Sequence, residues 1–142
     1  MKGRKADIPV ADEPLPAGVP EPPEWLTADA RAEWVRVLPV LFTERRTITA
    51  TDLAIFANYC TAIGQVAEAN RILAEEGLTF TGPSGPKRHP AIAIRSDGMT
   101  QARQMAAELG LTPASRGRPA IKSGGGDDLF SGGGLFSDLG LN

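Results

Sequence analysis

Residues 49–77, TATDLAIFANYCTAIGQVAEANRILAEEG, constrain most tightly what this chain can fold into. Thr49 can accept a hydrogen bond from the amide three residues on, and Asp52 suits the positive end of a helix. Gly77 can take the left-handed conformation that closes one. Between these signals Leu53, Phe56, Ala57, Cys60, Ile63, Gly64 and Ala67 recur at helical spacing on one face. Ile55, Tyr59, Ala62, Val66, Ala69 and Leu73 do the same on a second face. A helix lying on a surface needs one apolar stripe. Two stripes predict a helix packed on both sides, either within a bundle or between subunits. Gly64 is the poorest helix former in the stretch, and the element divides there if it divides at all.

The flanking segments read as shorter helices. Thr27 suits an N-cap, and Ala30, Trp34, Val37, Leu38 and Leu41 share a face of a helix over 27–42. Pro39 falls inside that pattern and predicts a kink or break near the end. Trp34 is in register with the other apolar positions, which makes it a core anchor and not a ligand contact. After Gly77, residues 78–81 alternate as a short strand, and Gly82-Pro83-Ser84-Gly85-Pro86 is dense turn chemistry. Lys87, Arg88 and His89 follow on an exposed loop. A helix is expected over 91–109 with Pro90 in its first turn, although Ile92, Ile94, Met99, Met105 and Leu109 do not share one clean face. Thr112 followed by Pro113 marks a last helical turn. The expected fold is mainly α: a small helical bundle on a long central helix, with a short β-like hairpin or loop and flexible termini.

The ends divide the chain of 142 residues into three parts. Residues 1–24 hold prolines at 9, 14, 16, 20, 22 and 23 and read as an extended arm with a basic tip at Lys2, Arg4 and Lys5. Residues 25–118 form the helical domain, a core small by burial arithmetic. Residues 119–142 carry two acidic-apolar islands, Asp127-Asp128-Leu129-Phe130 and Leu135-Phe136-Ser137-Asp138-Leu139, set in glycine linker. Exposed Leu-Phe pairs in such a tail are expected to bind a partner groove.

The formal net charge of −2 conceals a polarity. From Ala6 to Trp34 seven acids meet one arginine, whereas from Pro86 to Lys122 seven bases meet two acids. That distribution excludes a uniformly basic coat for DNA but not a polyanion partner for the basic segment. The single cysteine, Cys60, cannot form an intrachain disulfide and fits a reducing compartment. No run is apolar enough to span a bilayer, and the basic start is not followed by an apolar signal core, so a soluble intracellular protein without a membrane partner is expected.

Catalytic patterns are missing. The sequence has no zinc-protease His pair, no cysteine pair, no serine-nucleophile elbow and no dinucleotide fingerprint. The loop at 82–86 is not a phosphate-binding loop, because Pro86 precedes Lys87 and removes an amide donor. His89 is the sole histidine and has no partner ligands in sequence, so no metal, no cofactor and no enzyme activity are expected.

Taken in order, Pro23-Glu24-Trp25-Leu26, Trp34, Leu38-Pro39 with Leu41, Ile48-Thr49 with Asp52, Tyr59-Cys60, Gly77, His89-Pro90 and finally Glu108-Leu109-Gly110-Leu111-Thr112-Pro113-Ala114-Ser115-Arg116 resemble the small subunit of phage terminases. The resemblance runs from about Pro22 to Arg118, and its closing segment is the most specific part. It implies a non-catalytic protein of the bacterial host cytoplasm, absent from the mature virion, that forms a ring-shaped homo-oligomer. Such subunits bind viral double-stranded DNA and regulate the large subunit, which carries the ATPase and nuclease. No DNA-contact map transfers by motif.

Charge alone nominates Lys2, Arg4, Lys5, Arg45, Arg46, Lys87, Arg88, Arg95, Arg116 and Arg118 as DNA contacts. The second face of the long helix (Ile55, Tyr59, Ala62, Val66, Ala69, Leu73) is the expected subunit contact. Leu129, Phe130, Leu135 and Phe136 are the expected handle for the large subunit. Two other readings stand beside this one: a helix-turn-helix regulator, expected as a dimer on a palindrome, and an adaptor with no nucleic-acid role.

Overall fold

A computed structural model describes residues 14–117. Its centre is α2 (Leu53–Glu76), unbroken through Gly64 and entered by a short 3-10 turn over Ala50–Asp52. The entry is a capping box in which the Asp52 carboxylate accepts from the Thr49 amide at 2.7 Å. Gly77, at φ +83°, ends the helix, with its amide donating to the Leu73 carbonyl.

Two helices sandwich α2. On one side lies α1 (Ala28–Pro39), capped by the Thr27 hydroxyl, which accepts from the Ala30 amide. On the other lies α3 (Ala91–Glu108), continuous through Ser96–Met99. The two apolar faces of α2 are therefore occupied within one protomer. Trp34 of α1 and Phe56 of α2 meet at 5.1 Å between ring centroids, and Phe56 stacks on Tyr59 at 5.9 Å. Gly64 is where α1 crosses α2: a Cβ there would come within 2.9 Å of the Thr27 hydroxyl oxygen and 3.2 Å of Ala30 Cβ. Gly98 marks the matching approach of α3, since its Cβ would meet Val66 Cγ2 at 2.9 Å and the Ala62 carbonyl oxygen at 3.3 Å. The residue that looks like a weak point in α2 is a contact point.

The break expected at Pro39 is there: the α-helix ends at this residue and passes into a wider π turn over Val40–Glu44, in which the Arg45 amide reaches the Val40 carbonyl at 2.8 Å. Proline has no amide to give to the carbonyl four residues back and its ring crowds that oxygen, so widening the turn is the accommodation. Between α2 and α3, β1 (Thr79–Gly82) and β2 (Gly85–Arg88) form an antiparallel hairpin, with Phe80 opposite Lys87 and Thr79 opposite Arg88. Lys87 and Arg88, expected on a loop, therefore stand on a strand and project to opposite faces of the ribbon. A last turn, α4 (Pro113–Arg116), carries a Thr112–Ser115 capping box.

Part of the stretch expected as an extended arm packs on the domain. Val19 is buried, and the Trp34 indole donates to the Pro20 carbonyl at 3.0 Å. The Arg31 guanidinium donates to the carbonyls of Pro23, Glu24 and Leu26, fixing the turn before α1.

Tyr59 sets a first prediction. Its hydroxyl donates to the buried Glu33 carboxylate at 2.7 Å, and Arg36 donates to the same carboxylate at 2.7 and 2.9 Å. Burial, and then the bond to Glu33, push the phenol pKa well above its ordinary value. A raised folded-state pKa means that this group stabilises the fold fully below about pH 10 and progressively less as pH rises past it. Because the chain has one tyrosine, absorbance at 295 nm reads this group alone. The folded protein is expected to show no phenolate near pH 10, with ionisation appearing only together with loss of the far-UV helical signal. A half-ionised tyrosine at pH 10 in folded protein would contradict the buried bond.

Candidate nucleic-acid interface

The π turn that Pro39 imposes delivers Arg45 and Arg46 to the surface. Arg46 is the one non-glycine among the described residues with positive φ, at +52°. It takes the left-handed position where a helix terminus ordinarily uses glycine, which lets the Thr47 amide close on the Leu41 carbonyl at 2.9 Å. Holding a side chain there costs about 1–2 kcal/mol.

Arg45 comes together with a residue distant in sequence. The end of α1, the π turn, Leu111 and α4 enclose a concavity of about 240 Å³ lined by Arg36, Val37, Val40, Leu41, Arg45, Tyr59, Leu111 and Arg116. Val37, Leu41 and Tyr59 are buried beneath it, Val40 and Leu111 are half-buried, and Arg36, Arg45 and Arg116 are exposed around it. Arg36 is committed to Glu33, and that bond holds its pKa above the ordinary value. Arg45 and Arg116 have no acidic partner among the described residues. Arg36 was not foreseen as a site residue. The signal available was its place three residues after Glu33, which leaves it on the same side of α1.

The other nominated bases lie elsewhere. Lys87 and Arg88 sit on the hairpin beyond the far end of α2, and Arg95 is in the first half of α3, which runs back from that hairpin. From Tyr59 to Glu76 along α2 is about 25 Å, so the charges form two groups and not one strip. Lys2, Arg4, Lys5 and Arg118 lie outside the described residues, as do Leu129, Phe130, Leu135 and Phe136. His89 links elements instead of offering a free contact: one ring nitrogen lies 2.7 Å from a Glu76 carboxylate oxygen, and the other accepts from the Ala91 amide at 3.0 Å.

Of the expected subunit face, Tyr59, Ala62, Ala69 and Leu73 are buried inside the protomer, Val66 is half-buried under Gly98, and Ile55 is exposed. Among the described residues the large apolar side chains left at the surface are Trp25, Ile55, Leu78, Phe80, Ile94 and Met99. The amino-terminal turn of α2 presents the Asp52 carboxylate, an unfavourable neighbour for phosphate. Among the described residues there is no cluster of three or more side chains able to hold a metal ion, and no helix is long and apolar enough to cross a membrane.

The described residues form a short helical bundle whose arginines at the end of the π turn have no acidic partner among them. A family model described as phage terminase, small subunit, matches residues 30–125, and the chain belongs to that family. Family membership places it in phage genome packaging. Comparison with curated proteins and with solved structures gave no match.

Proposed function

We propose that the protein is the non-catalytic DNA-binding subunit of a terminase, acting as a ring-shaped homo-oligomer on viral double-stranded DNA in the host cytoplasm. In this role it regulates the large subunit through Leu129, Phe130, Leu135 and Phe136. The family match over residues 30–125 carries the reading. Support comes from Arg45, Arg46 and Arg116, which have no acidic partner among the described residues, at one end of the fold and the Lys87, Arg88 and Arg95 group at the other. Lys2, Arg4, Lys5 and Arg118 would add contacts from the two ends of the chain. Two separated groups suit a duplex that contacts several protomers at once, because a ring multiplies modest contacts. Copies would meet through exposed apolar side chains, Ile55 foremost on the face expected for that contact. A helix-turn-helix reading is disfavoured, since α1 and α3 cover both apolar faces of α2 and no free helix remains there to enter a groove.

The test is duplex binding measured at several salt concentrations. Each phosphate contact contributes about −0.9 to the slope of log K against log salt, so Arg45→Ala should flatten the slope by about one per contacting protomer. Arg46→Gly is the sharper variant. It should weaken DNA binding similarly while stabilising the fold by about 1 kcal/mol, because glycine accepts the left-handed conformation. If both variants bind duplex with wild-type affinity and slope, this end of the molecule is not the interface.

A further inference from the structure

The concavity beside Arg45 has a part that a phosphate contact would not occupy. A phosphate contact needs the guanidiniums, but it leaves the exposed parts of Val40 and Leu111, which lie over the core residues Val37 and Leu41, uncovered. A ligand that joins carboxylates to a large apolar side chain uses both parts. We propose that the segment Asp127–Phe130 of the same chain docks there, with Phe130 or Leu129 on Val40 and Leu111 and Asp127 and Asp128 on Arg45 and Arg116.

Three observations favour this occupant. The two guanidiniums without an acidic partner among the described residues match two adjacent carboxylates, whereas Arg36 is already held by Glu33. The described fold ends at Gly117, the residue after Arg116, so the tail departs from the edge of the site. Nine residues lie between Gly117 and Asp127, a reach of about 15–18 Å for a glycine-rich linker, which keeps the segment at an effective concentration on the order of millimolar. The second island matches less well: it carries one carboxylate, Asp138, and begins eight residues further on at Leu135. Charge-paired docking of this kind weakens as salt rises.

The docked segment and a DNA phosphate would compete for Arg45 and Arg116. That consequence rests on the function proposed above; the docking itself does not.

The experiment places the photo-crosslinker p-benzoylphenylalanine at position 130 of the full chain and irradiates it without nucleic acid. Adducts are expected within residues 36–45 and 111–116, in a fraction that does not change on dilution. The paired charge reversal R45E/R116E should lower their yield at least fivefold; both side chains are exposed, and far-UV circular dichroism checks that the fold persists. Adducts scattered over the surface, adducts lost on dilution (which would mean contacts between copies), or a yield indifferent to R45E/R116E each overturn the proposal. In a second arm, Leu129→Ala/Phe130→Ala should bind duplex at least threefold more tightly than the wild-type chain. Unchanged affinity beside intact crosslinks would remove the competition. Absence of duplex binding by either chain would overturn the proposed function and leave the docking standing.

Discussion

Trp34→Ala is expected to lower the stability of the fold by about 3–5 kcal/mol, the range for deleting a large aromatic from a packed core. Trp34 is 1% exposed, packs on Phe56 and donates its indole hydrogen to the Pro20 carbonyl at 3.0 Å. It thereby joins three things: α1, α2 and the segment before α1. A domain of this size has about 5–15 kcal/mol in total, so the variant would sit near the edge of folding. Trp25 supplies the control. It is 65% exposed, and its replacement by alanine should change stability by no more than about 0.5 kcal/mol. Trp34→Phe separates the two roles, keeping an aromatic against Phe56 while losing a hydrogen bond worth about 1 kcal/mol. Urea unfolding followed by far-UV circular dichroism measures all three without relying on the fluorophore being removed. At about 1–3 kcal/mol per molar urea, Trp34→Ala should shift the midpoint by at least 1 M. A loss below 1 kcal/mol would mean that this side chain does not anchor the core.

What could be read from the sequence follows from which residues carry the signal. The ends of α2 were legible because Thr49, Asp52 and Gly77 act locally, through hydrogen bonds and a backbone angle that depend on near neighbours. The cap of α4 at Thr112 was legible for the same reason. The packing face of α3 was not. Ile94 and Met99, the residues that draw the eye, are 51% and 50% exposed, while the buried positions are Ala91, Gly98, Ala102 and Leu109. These recur at intervals of seven, four and seven, a good helical face built mostly of small side chains. A search weighted to large apolar residues passes over them. Close approach, not bulk, is what that face provides.

The candidate site was legible only in parts. Charge nominates Arg45 and Arg116, but nothing in the sequence brings residues 45 and 116 together. That juxtaposition depends on the antiparallel return of α3 along α2 and on the turn at Gly110, whose φ is +73°. Pro39 illustrates the same limit. Its presence predicts a kink or a break near the end of α1, but not the π turn that sets the exit direction at Arg45. The buried Glu33 is harder still. Its charge is tolerable only because Tyr59 and Arg36 both donate to it, and Tyr59 lies 26 residues away.

Gly64 and Gly98 supply the second large effect, and here two terms of opposite sign compete. Replacing a glycine inside a helix by alanine ordinarily stabilises it by about 1 kcal/mol. Against that, the new Cβ at position 64 would sit 2.9 Å from the Thr27 hydroxyl oxygen and 3.2 Å from both Ala30 Cβ and the Ala30 amide nitrogen. The hydroxyl is the N-cap of α1, and moving it weakens the bond to the Ala30 amide. At position 98 the obstacle is Val66 Cγ2 at 2.9 Å, on a branched side chain with little rotamer freedom, backed by the Ala62 carbonyl at 3.3 Å. Overpacking of this kind costs about 1–3 kcal/mol and comes on top of the cap loss at position 64. Each Gly→Ala variant should therefore lose about 1–2 kcal/mol net. The double variant should lose about 2–4, because the two sites act on different helix pairs and add. Valine at either position should cost more than alanine, since it fills the same gap further. If both alanine variants instead gain about 1 kcal/mol in urea unfolding, propensity has won and the helices do not approach as closely as these distances require.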